Sequence, residues 1–140
     1  MFVLDTNVLS DLRRPERANP RLLEWASEAP TARLFLSVIT VMEIEMGVLG
    51  MERRDPAQGA VLRTWLNGQV LPTFEGRVLA VDTPVALRCA GLHIPDPRSE
   101  RDALIAATAL VHGMTVVTRN LAGFEPTGVP LLNPWDRPAS

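Results

Sequence analysis

Five short runs of apolar residues, each separated from the next by a segment of helical character, constrain this chain more than any other feature. Phe2-Val3-Leu4 is the first, and Arg33 to Val38, Val78 to Val81, Thr115 to Thr118 and Val129 to Leu132 are the others. Their apolar residues are continuous instead of alternating, which is the pattern of strands buried on both faces. The intervening segments read as helices. Val8 to Leu12 follows the N-cap candidates Asp5-Thr6-Asn7, and a second helix holds Leu22, Leu23, Trp25 and Ala26 and stops before Pro30. Thr40 opens a third, through Gly47 to about Gly50. A polar turn at Asp55-Pro56 precedes a long amphipathic helix over roughly Ala57 to Leu71. Thr83-Pro84 starts another helix and Ser99 caps the last, which runs through His112. Strands alternating with helices predict a three-layer α/β/α sandwich, with a parallel sheet of about five strands and right-handed crossovers. At 140 residues the chain fits a single domain, 1–140. A domain of that size buries roughly 68–70% of its unfolded surface.

Composition removes several chemistries. All fourteen basic residues are arginine. Without a lysine there is no P-loop, and the phosphate-handling classes that set a lysine beside their aspartates are excluded with it. Cys89 is the single cysteine, which rules out an internal disulfide framework and Cys-rich zinc sites and suits a reducing cytoplasm. His93 and His112 both stand at expected helix ends, where a structural role suffices. The apolar stretch Ala103 to Val111 is about half a bilayer crossing, so no membrane association is expected. A net charge of −2 means that any contact with nucleic acid must come from a local arginine patch. Arg13, Arg14, Arg17, Arg21, Arg98, Arg101 and Arg119 flank the segments where such a patch would lie.

In open parallel sheets, ligands bind beyond the carboxyl ends of the strands, near the switch in strand order. Asp5 follows the first strand directly, Ser37 to Glu43 follows the second, and Arg119 to Glu125 follows the fourth. Each acid at this rim also has a purely structural explanation. Asp5 is a sound N-cap, although Asp5, Thr6 and Asn7 together supply more polar groups than one helix end requires. Thr40 and Glu43 have the spacing of a capping box. Gly47 and Gly50 extend the Glu43 face, and each costs a helix roughly 0.8–1.0 kcal/mol relative to alanine, so close packing or an approaching ligand is expected there. Glu45 is expected to be solvated. Asp102 sits in the first turn of a helix opened by Ser99, where its charge suits the helix dipole, yet the almost wholly apolar sequence after it puts it at the mouth of the core. Converging carboxylates raise one another's pKa unless a cation lies among them. Oxygen-only ligands select Mg²⁺ or Mn²⁺ over zinc.

Taken in order, Leu4 to Asn7, Ser37 to Glu43 with Gly47, Arg101 to Ala107, and Thr118-Arg119-Asn120 resemble the PIN-domain nucleases. More narrowly they resemble the VapC and FitB-like toxins of bacterial type II toxin–antitoxin pairs. The closing stretch, Gly128-Val129 through Asn133-Pro134-Trp135, is similar to the end of the FitB-like branch, so the resemblance covers nearly the whole chain. It implies a PIN-like fold and a Mg²⁺-dependent endoribonuclease, with Asp5, Glu43 and Asp102 as metal-binding catalytic carboxylates. Thr6, Asn7, Ser37, Thr118 and Asn120 would be supporting polar groups. It also implies a homodimer and an antitoxin whose C-terminal segment lies in a groove and obstructs the active site. Arg119, within the strand-end motif, is the candidate for an RNA contact. Many relatives carry an aspartate three residues after the asparagine of Thr-Arg-Asn, and this chain has Gly123 there. The expectation is a three-carboxylate site, with Glu125, on a glycine-loosened loop, as a candidate fourth acid. The competing expectations are a PIN-like module, weakened in catalysis, that binds RNA or protein, and a nuclease of the same fold that processes RNA without an antitoxin.

Overall fold

In the computed structural model, which describes residues 1–136, the five apolar runs form one parallel sheet. Its strands are β1 (Phe2–Leu4), β2 (Leu34–Ser37), β3 (Val78–Leu79), β4 (Thr115–Val117) and β5 (Leu131–Leu132), in the order β3-β2-β1-β4-β5. β1 is therefore central, pairing with β2 on one side (Phe2 with Leu34) and with β4 on the other (Phe2 with Thr115). The switch in strand order falls between β1 and β4.

Successive β1 side chains point to opposite faces, and each face is covered. Leu4, Leu36 and Val117 pack with Val8, Leu22, Ile44, Val48, Leu66 and Phe74 on one side of the sheet. Val3 and Val116 pack with Ile105, Ala106, Ala109 and Phe124 on the other. The two layers come from α1 (Thr6–Leu12), α2 (Pro20–Glu28), α3 (Val38–Arg54), α4 (Pro56–Trp65), α5 (Leu71–Thr73), α6 (Thr83–Leu92), α7 (Glu100–His112) and α8 (Leu121–Phe124). Among the described residues no helix is long and apolar enough to cross a membrane.

Several element ends differ from the sequence expectation. α3 begins two residues before Thr40, because Ser37 at the end of β2 is already a cap: its Oγ accepts the Ile39 N–H at 3.1 Å. Thr40 thus lies inside the first turn, and the Thr40–Glu43 capping box does not form. α6, by contrast, begins at Thr83 as expected, with Asp82 as its cap accepting the Val85 N–H at 3.2 Å. The long helix expected over Ala57 to Leu71 is regular only to Trp65 and continues as a π-helical turn over Leu66–Val70, where the Leu71 N–H bonds to the Leu66 carbonyl. Pro72 explains the widening, since it lacks an N–H and its ring crowds the carbonyl four residues back.

α3 and α4 form a hairpin that presses against itself at Gly59, where a Cβ would lie 2.4 Å from the Glu52 Cα. Arg63 reaches back from α4 to Glu45 at 2.6 Å and Glu52 at 3.2 Å on α3, so Glu45 is ion-paired, contrary to the expectation of simple solvation. Those two hydrogen-bonded carboxylates hold the Arg63 guanidinium pKa above its usual value, and Arg63 in turn lowers that of Glu45.

Candidate active site

β1 ends in Asp5, which the strand delivers to the rim while α1 begins at the next residue. Asp5 is only 6% exposed. Its Oδ1 accepts the Thr6 N–H at 2.8 Å, which caps α1. Its Oδ2 accepts from the Thr118 hydroxyl at 2.8 Å and from Asn7 Nδ2 at 3.2 Å. Thr118 is fully buried just past β4 and its hydroxyl accepts the Asn120 N–H at 2.9 Å, while the Asn7 side-chain Oδ1 accepts the Arg119 N–H at 3.3 Å. One polar web therefore ties the ends of β1 and β4 and holds the Asp5 carboxylate in a single orientation.

Glu43 lies in the second turn of α3, free of any capping duty. Its Oε1 accepts from the Thr6 hydroxyl at 2.8 Å, and the buried Thr40 hydroxyl lies 3.4 Å from that of Thr6. Its Oε2 faces Arg101 at 3.5 Å. This pair is partly exposed and worth little on its own. Asp102, in the first turn of α7, makes no hydrogen bond among the described residues, and Ser99 caps the helix without a side-chain bond. The structure thus brings Asp5, Glu43 and Asp102 to one rim from three elements, with Thr6, Asn7 and Thr118 bonded to them or to one another.

The electrostatics reflect that crowding. Burial pushes the Asp5 carboxyl above the ordinary carboxylate value, the hydrogen bonds from Thr118 and Thr6 oppose it, and the charges of Asp102 and Glu43 add to the rise. Asp102 is also raised, first by burial and then by Glu43. A rim with three acids and one partly exposed arginine is short of positive charge.

The other expected residues are placed as follows. Ser37 is buried, and its hydroxyl is spent on capping α3. Asn120 caps α8 by accepting the Gly123 N–H at 3.3 Å. A Cβ on Gly123 would stand 2.4 Å from Asn120 Nδ2 and 3.0 Å from Asp102 Oδ2, so the place of a fourth acid is adjacent to Asp102 and is occupied by the Asn120 amide. Glu125 does not stand on the loose loop expected for it. Its segment is helical, α8 running directly into a 3₁₀ turn over Glu125–Thr127, and the fully buried Phe124 anchors it. The Glu125 side chain is exposed and makes no hydrogen bond or ion pair among the described residues. The Arg119 guanidinium sits over the Trp135 ring, 5.9 Å from its centroid. Sequence reasoning missed Thr40, hidden by its reading as a cap, and a cavity of about 270 Å³ beside Glu43 walled by Thr6, Ser10, Arg13, Gly47 and Trp65. Gly47 and Gly50 show none of the close packing expected of them, since a Cβ on either would meet nothing within 4 Å.

Among the described residues no three His, Cys, Asp or Glu side chains close into a ready-made metal cage. Mg²⁺ does not need such a cage, because it keeps several waters and binds through one or two carboxylates plus a substrate phosphate. The all-oxygen donor set at a rim short of positive charge fits such an ion.

Comparison with known proteins identifies the chain's relatives. The chain is 38% identical over 145 residues to the VapC ribonuclease Y4jK of Sinorhizobium fredii, covering 97% of this chain and 99% of that one. The crystal structure of FitAcB from Neisseria gonorrhoeae superposes with a TM-score of 0.89 at 35% identity, covering 98% of this chain and 100% of that one. A toxin–antitoxin complex from Klebsiella pneumoniae superposes with a TM-score of 0.67 at 26% identity, covering 96% of this chain and 98% of the other. Residues 2–125 match the PIN domain, and the chain belongs to that family.

Proposed function

We propose that this chain is the toxin of a type II toxin–antitoxin pair and acts as a metal-dependent endoribonuclease on RNA phosphodiester bonds. The observation that carries the reading is the buried Asp5 carboxylate, fixed by Thr6, Asn7 and Thr118 and facing two further acids at the sheet's switch point. The names of the ribonuclease and toxin–antitoxin relatives support it.

Asp5, Asp102 and Glu43 are the residues that would hold Mg²⁺ or Mn²⁺. When bound, such an ion supplies a water acidic enough to attack at neutral pH and positive charge for the leaving oxygen. The chain's own contribution is orientation. Thr118 and Asn7 fix Asp5, Thr6 fixes Glu43, and Asp102 stays uncommitted. Arg101, beside Glu43, balances part of the negative charge and is placed to meet a phosphate oxygen. Gly123 makes this a three-carboxylate site.

The reading includes a cognate antitoxin, a cytoplasmic location consistent with the lone Cys89, and a homodimer. Support for the dimer comes from Val38, Met42, Met46 and Leu49, which form an apolar stripe 39–55% exposed along one face of α3. The test is RNA cleavage with Mg²⁺ or Mn²⁺, comparing wild type with Asp5→Asn, Glu43→Gln and Asp102→Asn. Each substitution is expected to abolish cutting.

A further inference from the structure

The cavity beside Glu43 is unaccounted for by the chemistry of the acids. It shares Thr6 and Glu43 with the active rim and then runs away from it between α1, α3 and α4. Its far wall is Trp65, half-buried against Leu62 and Val48. Two adjoining hollows, of about 470 and 140 Å³, also have Arg13 and Trp65 in their walls, so this pair stands where all three spaces meet.

Three features of the cavity are independent of one another. The Arg13 guanidinium carbon lies 6.0 Å from the centre of the Trp65 ring, and Arg13 makes no salt bridge among the described residues. Gly47 lines the space in the middle of α3, and a Cβ there would meet nothing, so no neighbour explains the glycine and only the open volume gains from it. The regular α-helix also stops at Trp65, where the π-helical turn begins. An aromatic face, an arginine beside it that no carboxylate pairs among the described residues, and a hollow lined by a glycine, continuous with the acids of the rim, complement a flat heteroaromatic ring joined to a phosphate.

We propose that this cavity seats one unpaired base of the RNA, next to the bond cut at the acids, with Trp65 as its stacking platform and Arg13 against its flanking phosphate. The proposal rests on the ribonuclease reading and adds a specificity-determining subsite to it. Bases within a duplex have no free face to stack, so the subsite selects single-stranded segments. The exposed Ser10 hydroxyl at the cavity wall can donate to or accept from the base edge. Trp65, Arg13 and Gly47 act in positioning the substrate and take no part in the chemistry.

The test uses the full chain in EDTA, so that binding is read without cleavage. The probe is a short fluorescein-labelled single-stranded RNA of mixed sequence, alongside a fully paired duplex of the same sequence. Gly47→Leu projects a side chain into the hollow from a position where its Cβ meets nothing within 4 Å, and Trp65→Ala removes the platform. Each is expected to weaken single-strand binding by roughly 5- to 100-fold, as loss of one base stack does. Trp65→Phe is expected to keep most of the affinity, and the duplex is expected to bind no better to wild type than to Gly47→Leu. Thermal unfolding of Gly47→Leu checks the fold, independently of Trp65→Ala. Quenching of tryptophan emission by the bound single strand, present in wild type and absent in Trp65→Phe, identifies the stacked ring. If Gly47→Leu binds the single strand as tightly as wild type, the subsite is wrong while the nuclease reading stands. If it instead loses only affinity for an antitoxin peptide, the cavity is a protein groove and the proposal is equally overturned. Wild type that neither binds the single strand nor cuts RNA with Mn²⁺ would overturn both readings.

Discussion

Asp5 both caps α1 and presents a carboxylate at the rim, and the two roles use different oxygens. Its charged form is disfavoured by burial and by Asp102 and Glu43, so its pKa in the folded chain lies above the unfolded value near 3.8. The folded state therefore binds more protons than the unfolded one, and stability falls as pH rises from about 3.8 through the raised folded value. In EDTA, urea denaturation across that range should show wild type losing stability relative to Asp5→Asn as pH increases, and a pH-independent difference would contradict the assignment. At neutral pH, Mn²⁺ should restore wild type but not Asp5→Asn, by about 2.7 kcal/mol at a hundredfold excess over its Kd. The acids themselves were legible in the sequence, but their duties were not. Whether Glu43 was a capping residue depended on where α3 starts, and that was decided by Ser37 at the end of β2, three residues upstream of the expected cap. The loop expected around Glu125 was misjudged because Gly123 suggested a loose segment, whereas Asn120 caps a helical turn there and Phe124 pins it to the core.

At the scale of elements, the hairpin of α3 and α4 shows what a glycine inside a helix can mean. Gly47 and Gly59 carry the same local signal, and only their neighbours in space separate them. Gly59→Ala drives a Cβ into the Glu52 backbone and should cost about 1–3 kcal/mol. Gly47→Ala meets nothing and should stabilise the fold by up to about 1 kcal/mol. Urea midpoints of the two variants moving in the same direction would contradict the packing described. The turn at Asp55-Pro56 was readable because Asp55 is a side-chain cap and Pro56 a first-turn proline. The π-helical turn after Trp65 was not, since periodicity through Leu62, Leu66 and Val70 stays apolar whether the turn is α or π.

The molecule as a whole turns positions 5, 43, 102 and 118 into one rim because β1 is central and its neighbours are β2 and β4. The parallel sheet followed from the alternation of apolar strands and helices, whereas the strand order that makes β1 central did not, because no local pattern says which strands pair. Surface features were less legible, because the α3 stripe merges with the core pattern of the same helix until exposure separates Met42 and Met46 from Ile44 and Val48. If that stripe joins two copies, Met46→Glu should convert a dimer to a monomer in sedimentation velocity, and an unchanged sedimentation coefficient would place the interface elsewhere. Metal-dependent cleavage at this rim is tested most directly by one measurement: cleavage of single-stranded RNA by the purified chain with Mn²⁺, with EDTA, and in the Asp5→Asn and Asp102→Asn variants. Cutting by wild type with Mn²⁺ alone, lost with EDTA and in both variants, is the predicted result. Cutting that persists in either variant, or in EDTA, would contradict it.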